Sequence, residues 1–211
     1  MAVAGPVSKP LSGQQISELA GGARVVRYPD LAEYGSWSAL MQASSGKVAC
    51  LFLTTSPTDG HWLALFNGPD GRHVFDPLGV ALDKERSYIS AGAQSALGET
   101  QPIIHNLLMA DGPGAPPIHV SKAHFQADRP DVNTCGRWSG LRLRQRAMTD
   151  DAFQAWVSAG MRSTGLASDA WVDAVTNGRA PGPGPGPAPT LSGGMLGGRW
   201  ARHASRPLLR S

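Results

Sequence analysis

The chain has 211 residues, 41% of them hydrophobic, with a formal net charge of +3, enough for one folded domain with a sizeable core. No apolar run approaches bilayer-spanning length, and the opening "MAVAGPVSKPLSG" lacks the charged-then-apolar order of a secretory leader, so the expectation is a protein held inside a cell or a particle, neither secreted nor membrane-bound. Two cysteines, Cys50 and Cys135, exclude a disulfide framework and suit a reducing compartment.

The positive charge is unevenly placed. Arg199, Arg202, Arg206 and Arg210 lie in a final stretch without acids, and setting them apart from the 19 basic residues leaves 15 against 16 acidic. The body is therefore close to neutral, and a DNA or polyanion partner is expected at the tail rather than on the domain.

In chain order, Ser12 and Gln15 have capping-box spacing for a first helix over Ser12–Leu19, with Gly21 and Gly22 as its stop. "ARVVRYPD" reads as a short strand ended by Pro29. A second short helix follows Ser36 and stops by Gly46. Three apolar runs, "KVACLFLTT", "HWLALF" and "RHVFDPLG", then read as strands buried on both faces, with Cys50 a small core hydrophobe. "NGPDG" at 67–71 is turn chemistry, so the second and third of these form an antiparallel hairpin centred near Pro69. That register pairs His61 with Asp76 or Pro77.

Helical turns are expected within 83–97 and 101–110, followed by a loop at "ADGPGAPP" and an edge strand or extended segment at "IHVSKAHFQ". From Cys135 onward, Gly136, Gly140, Leu143 and Ala147 form a close-packing helical face, with arginines 142, 144 and 146 on other faces. Helices starting near Thr149 and Ser168 close the domain at Asn177–Gly178. The expected organisation is one α+β domain over 1–178, and a Pro/Gly-rich linker with a basic, disordered tail over 179–211, because "RAPGPGPGPAPT" supports neither helix nor strand.

The residues that carry chemistry converge on one reaction type. A cysteine at the start of a helix is stabilised as thiolate by the helix dipole. Cysteine proteolysis needs that thiolate, a histidine to take and return a proton, and a partner to orient the histidine. Cys135, His61 and Asp76 fill these roles. The alternatives are a core thiol for Cys135, a structural histidine for His61 and a turn cap for Asp76. His73, His105, His119, His124 and His203 have no metal-ligand spacing, and the thiol chemistry needs no cofactor.

The motifs "GHWLALF", "FDPLG" and "NTCGRW", with "HFQ" ahead of the cysteine, resemble the adenovirus-type cysteine proteases, which share the fold of the SUMO-deconjugating proteases. The resemblance spans about residues 11–160 and is nearest to versions encoded by virophages and related double-stranded DNA viruses, which also begin with a short helix and a "YPDL"-like segment. It implies a papain-like, adenain-like fold with a small, mostly antiparallel central sheet flanked by helices and the nucleophile at a helix N-terminus. It also implies a triad of His61, Asp76 and Cys135, with Gln126 as the oxyanion-hole glutamine. Its interval of nine residues to Cys135 is slightly longer than in better-known members. By the same resemblance Trp62 walls the substrate cleft; packing in the core is the other reading of Trp62.

The functional expectation is a thiol endopeptidase cutting after Gly-Gly, acting as a monomer on viral capsid or scaffold proteins in the virion and host-cell interior. A deconjugase of a ubiquitin-like modifier is the nearest rival. A catalytically silent virion or DNA-binding protein using the arginine tail is the rival of another class. "LSGG" at 191–194 and "MLGG" at 195–198 make self-cleavage in the tail a further expectation.

Overall fold

The computed structural model describes residues 9–56 and 59–179; the tail arginines and both Gly-Gly strings of the tail lie outside the described residues. Helix α1 (Gly13–Leu19) starts at Ser12, whose side chain accepts from Gln15 N while the Gln15 side chain accepts from Ser12 N, the reciprocal box expected. Strand β1 (Arg24–Arg27) runs into a 3₁₀ helix at Pro29–Tyr34, and α2 (Trp37–Ala43) follows its Ser36 cap. The apolar runs become β2 (Lys47–Ser56), β3 (Asp59–Asn67) and β4 (Arg72–Phe75). A second 3₁₀ helix (Lys84–Tyr88), α3 (Ala91–Leu97), α4 (Ile103–Ala110) and β5 (Ile118–Val120) lead to α5 (Cys135–Arg144), α6 (Asp150–Thr164) and α7 (Ser168–Thr176).

The fold is α+β, with one five-stranded sheet in the order β1-β2-β3-β4-β5. β2, β3 and β4 are antiparallel neighbours, but β1 runs parallel to β2 and β5 parallel to β4. The sheet is therefore mixed rather than mostly antiparallel. Parallel neighbours need a crossover; the segment holding α2 supplies one, and the segment holding α3 and α4 supplies the other.

Strand side chains alternate between two cores. Ala49, Leu51, Leu53, Trp62, Ala64, Phe66 and Phe75 face the side packed by α1, α5, α6 and α7. Val48, Cys50, Phe52, Leu63, Leu65 and Val74 face Leu31, α2 and α4 on the other side. Cys50 is fully buried and burial holds its thiol well above the ordinary value, as befits a core hydrophobe.

Helix α5 packs on β2 and β3, and α1 packs beside it, touching both α5 and strands β1 and β2. A Cβ built at Gly136 would stand 2.8 Å from Ile16 Cδ1, and one at Gly140 2.7 Å from Leu19 Cδ2, so the small-residue face lets α1 come down onto α5. That contact brings the start of α1 beside Cys135. Arg142, on another face of the same helix, is fully buried. Its guanidinium lies 4.5 Å from the Phe66 ring centre and 4.9 Å from that of Phe153, and donates to Met148 O and Asp150 Oδ1. Sequence periodicity gives no sign of a buried arginine there.

Candidate active site

The hairpin places the first two site residues. Ala64 pairs with Phe75, and β4 ends there, so Asp76 lies one residue beyond the ladder, with Leu63 in the position directly opposite. His61 is two residues from Leu63 on the same face, a diagonal neighbour still within reach of a long side chain. His61 Nε2 lies 2.8 Å from Asp76 Oδ1. The expected pairing is one step diagonal to the geometry found, because the turn centre falls half a residue later than Pro69. Gly60 is required at its place: a Cβ there would lie 1.8 Å from Phe52 O.

Asp76 is almost wholly buried, and its Oδ1 also accepts from Leu78 N at 2.7 Å. The turn it caps continues to Gly79, at φ +65°. A side chain at Gly79 would collide with Lys122 O and Ala123 O, so the glycine allows residues 122–126 to close over the turn. Phe125 N and Gln126 N then both donate to Pro77 O, which fixes the Gln126 segment beside the acid.

Cys135 is the first residue of α5 and half-buried. The His61 side chain and the backbone N–H groups of Trp62 and Gly136 lie near enough to its sulfur to favour the thiolate. Burial opposes a negative sulfur, yet the His61 side chain and these amides outweigh it and hold the thiol below its ordinary value. Burial likewise opposes a charged His61, but Asp76 and Cys135 push it up to about 10. All three shifts act in the direction of an imidazolium between a carboxylate and a thiolate.

The structure thus brings His61, Asp76 and Cys135 together, although 15 residues separate the first two and 59 separate Asp76 from Cys135. Trp62 is buried against α5; its carbonyl accepts from Ser139 Oγ at 2.9 Å, and its ring lines a groove of about 390 Å³ with Leu11, Gly13, Leu51, Cys135 and Gly136. Core packing and groove wall are the same place for this side chain. Gln126 Nε2 makes a long 3.4 Å hydrogen bond to Val132 O, three residues before Cys135, and its Oε1 is buried without a hydrogen-bond partner among the described residues.

Two residues outside the expected set belong to this region. Asp169, at the start of α7, accepts from Thr134 Oγ1 and from Ala127 N. It thereby ties the residue preceding Cys135 to the residue following Gln126. Glu85 is buried beside Asp76. Neither carries a local motif: an acid in a helix or turn reads as solvated until the chain folds.

Elsewhere, Asp70, His73 and His119 place ligand-type atoms within 4.8 Å of one another, a grouping that spacing along the chain hides. His73 stacks on His119 at 4.7 Å with 15° between the planes. Imidazole lone pairs lie in the ring plane, so stacked rings do not converge on one ion. His73 is instead held between Asp70 and Asp150. Among the described residues no helix is long and apolar enough to cross a membrane.

No protein-family model matches the chain. It is 27% identical over 137 residues to a protein of the Sputnik virophage named "Uncharacterized protein V9", an alignment covering 64% of this chain and 75% of that protein. The likeness suggests a viral relation and carries no activity with it.

Proposed function

We propose that the chain is a cysteine endopeptidase of adenovirus type that cuts viral capsid or scaffold proteins after Gly-Gly. The observation that carries this reading is the His61 ring held between the Asp76 carboxylate and the Cys135 sulfur, at a helix start that opens onto a groove. The thiolate attacks the scissile carbonyl, and the tetrahedral oxyanion is held by the Cys135 N–H and the Gln126 side-chain amide. His61 passes its proton to the departing amine, leaving an acyl-enzyme. It then takes a proton from the water that attacks the thioester and keeps it as the thiolate and the acid product separate, which restores the starting imidazolium–thiolate pair. Asp76 keeps Nε2 occupied throughout, so Nδ1 is the ring nitrogen turned to the sulfur.

The groove is lined by Gly13, Gly60 and Gly136 as well as by Trp62, Leu51 and Val25, and the glycines among its walls suit a substrate of extended backbone with small side chains. The proposed setting is the virion and host-cell interior, with the tail arginines available for DNA. Incubation of the protein and of Cys135→Ala with candidate capsid and scaffold proteins, followed by mapping of new termini, tests the reading. New termini after Gly-Gly with the unmodified chain alone are expected; identical termini for both forms would end it.

A further inference from the structure

Asp76 uses one carboxylate oxygen twice and the other not at all. Oδ1 takes His61 Nε2 and Leu78 N, at 2.8 and 2.7 Å, while Oδ2 is buried with no donor among the described residues. Oε2 of Glu85 is equally buried and, among the described residues, equally without a partner. The two residues are 2% and 3% exposed, and their side chains are within hydrogen-bonding reach. Two ionised carboxyl groups there leave two buried oxygens unsatisfied and repel each other, whereas one shared proton satisfies both.

Glu85 is placed there by its neighbours. Asp83 accepts from Tyr28 Oη and, at 3.3 and 2.9 Å, from the N–H groups of Ile104 and His105 at the start of α4. On the other side, Arg86 donates to Glu99 O and Thr100 O. The short 3₁₀ helix is bolted at both flanks, and the glutamate between them is pressed against the acid of the site.

We propose that Glu85 is a positioning residue that carries a proton in the resting protein and donates it as a hydrogen bond to Asp76 Oδ2, locking the carboxylate that orients His61. The proposal rests on the triad reading above. Burial first, and the Asp76 carboxylate second, push Glu85 up to about 9, so the acid is neutral at pH 7. The titratable groups around the pair are His61 on β3, Cys50 on β2 and Tyr88 on the same 3₁₀ helix, with Cys135 beyond His61.

The test compares the full chain with Glu85→Gln and Glu85→Leu. Infrared spectra at neutral pH are expected to show the C=O stretch of a protonated, buried carboxylic acid that Glu85→Gln removes and Cys135→Ala retains, and that disappears as pH rises through about 9. Glu85→Gln keeps a donor and is expected to preserve the rate of Cys135 alkylation by iodoacetamide. Glu85→Leu is expected to slow it about tenfold and shift its pH midpoint toward that of a free thiol, the scale of one hydrogen bond to a charged group. Absence of the band, its titration below neutral pH, or alkylation of Glu85→Leu at the unmodified rate would each overturn the proposal. If Glu85→Leu does not fold, the band and its loss in Glu85→Gln still decide it. Slow alkylation of the unmodified chain would instead count against the triad, leaving the infrared result to stand on its own.

Discussion

His61 Nε2 lies 2.8 Å from Asp76 Oδ1, both side chains nearly excluded from solvent. The contact fixes one ring nitrogen and leaves the other for Cys135. Asp76→Asn keeps the shape but removes the charge that holds His61 up. The expected result is a loss of peptidase activity of about 10²-fold or more, together with a Cys135 alkylation profile displaced to higher pH. Thermal unfolding of the same variant checks that the fold survives.

The pH dependence of cleavage follows from the two opposed shifts. Cys135 is held below its ordinary value and His61 is raised to about 10. Activity is expected to appear as the pair gives up its first proton, below the ~8.5 of a free thiol, and to fall when His61 loses its proton toward about 10. Initial rates on a Gly-Gly peptide across the pH range should give a bell with a broad neutral plateau. A profile that simply rises through the free-thiol value would show that no ion pair forms.

Gln126 separates chemistry from thiol reactivity. Its amide serves only the oxyanion in the proposed mechanism, so Gln126→Ala is expected to lower kcat by about 10²–10³ while leaving iodoacetamide alkylation of Cys135 unchanged. An equal fall in both would assign Gln126 to the packing of the loop before α5, where it now donates to Val132 O.

Away from the site, the fully buried Arg142 depends on Asp150 at 2.8 Å. Burial works against the Asp150 charge, but hydrogen bonds from His73 and Arg142 bring the carboxyl down to about 2. The folded value lies below the ordinary ~3.9, so the contribution to stability is complete above that pH and is lost as pH falls through about 2. Asp150→Asn is expected to cost about 2 kcal/mol in denaturant unfolding at neutral pH, less than for a wholly buried pair, since Asp150 is partly exposed and Arg142 keeps its carbonyl acceptors. At pH near 2 the two proteins should unfold alike.

Elements set by local rules were legible in the chain. The capping box at Ser12, the Ser36 and Thr149 caps, the turn at 67–71 and the glycine stops all act within a few residues. The hairpin register even carried His61 to the neighbourhood of Asp76, because a short turn transmits register along two strands. The parallel placement of β1 and β5 was not legible: it depends on where crossover segments pack, and no local pattern records that.

The residue types and their order were thus determined by the sequence alone: a thiol opening a helix, a histidine and an acid on one hairpin, and a glutamine upstream of the thiol. Only the tertiary structure decided that the thiol meets the histidine, that Arg142 is buried rather than solvated, and that Glu85 and Asp169 stand behind Asp76 and the start of α5. The physical reason is that a side chain's charge state and partners are set by what surrounds it after packing. Glu85 lies nine residues from Asp76 and Asp169 lies 34 from Cys135, separations over which only the closed sheet and its helices bring such groups together.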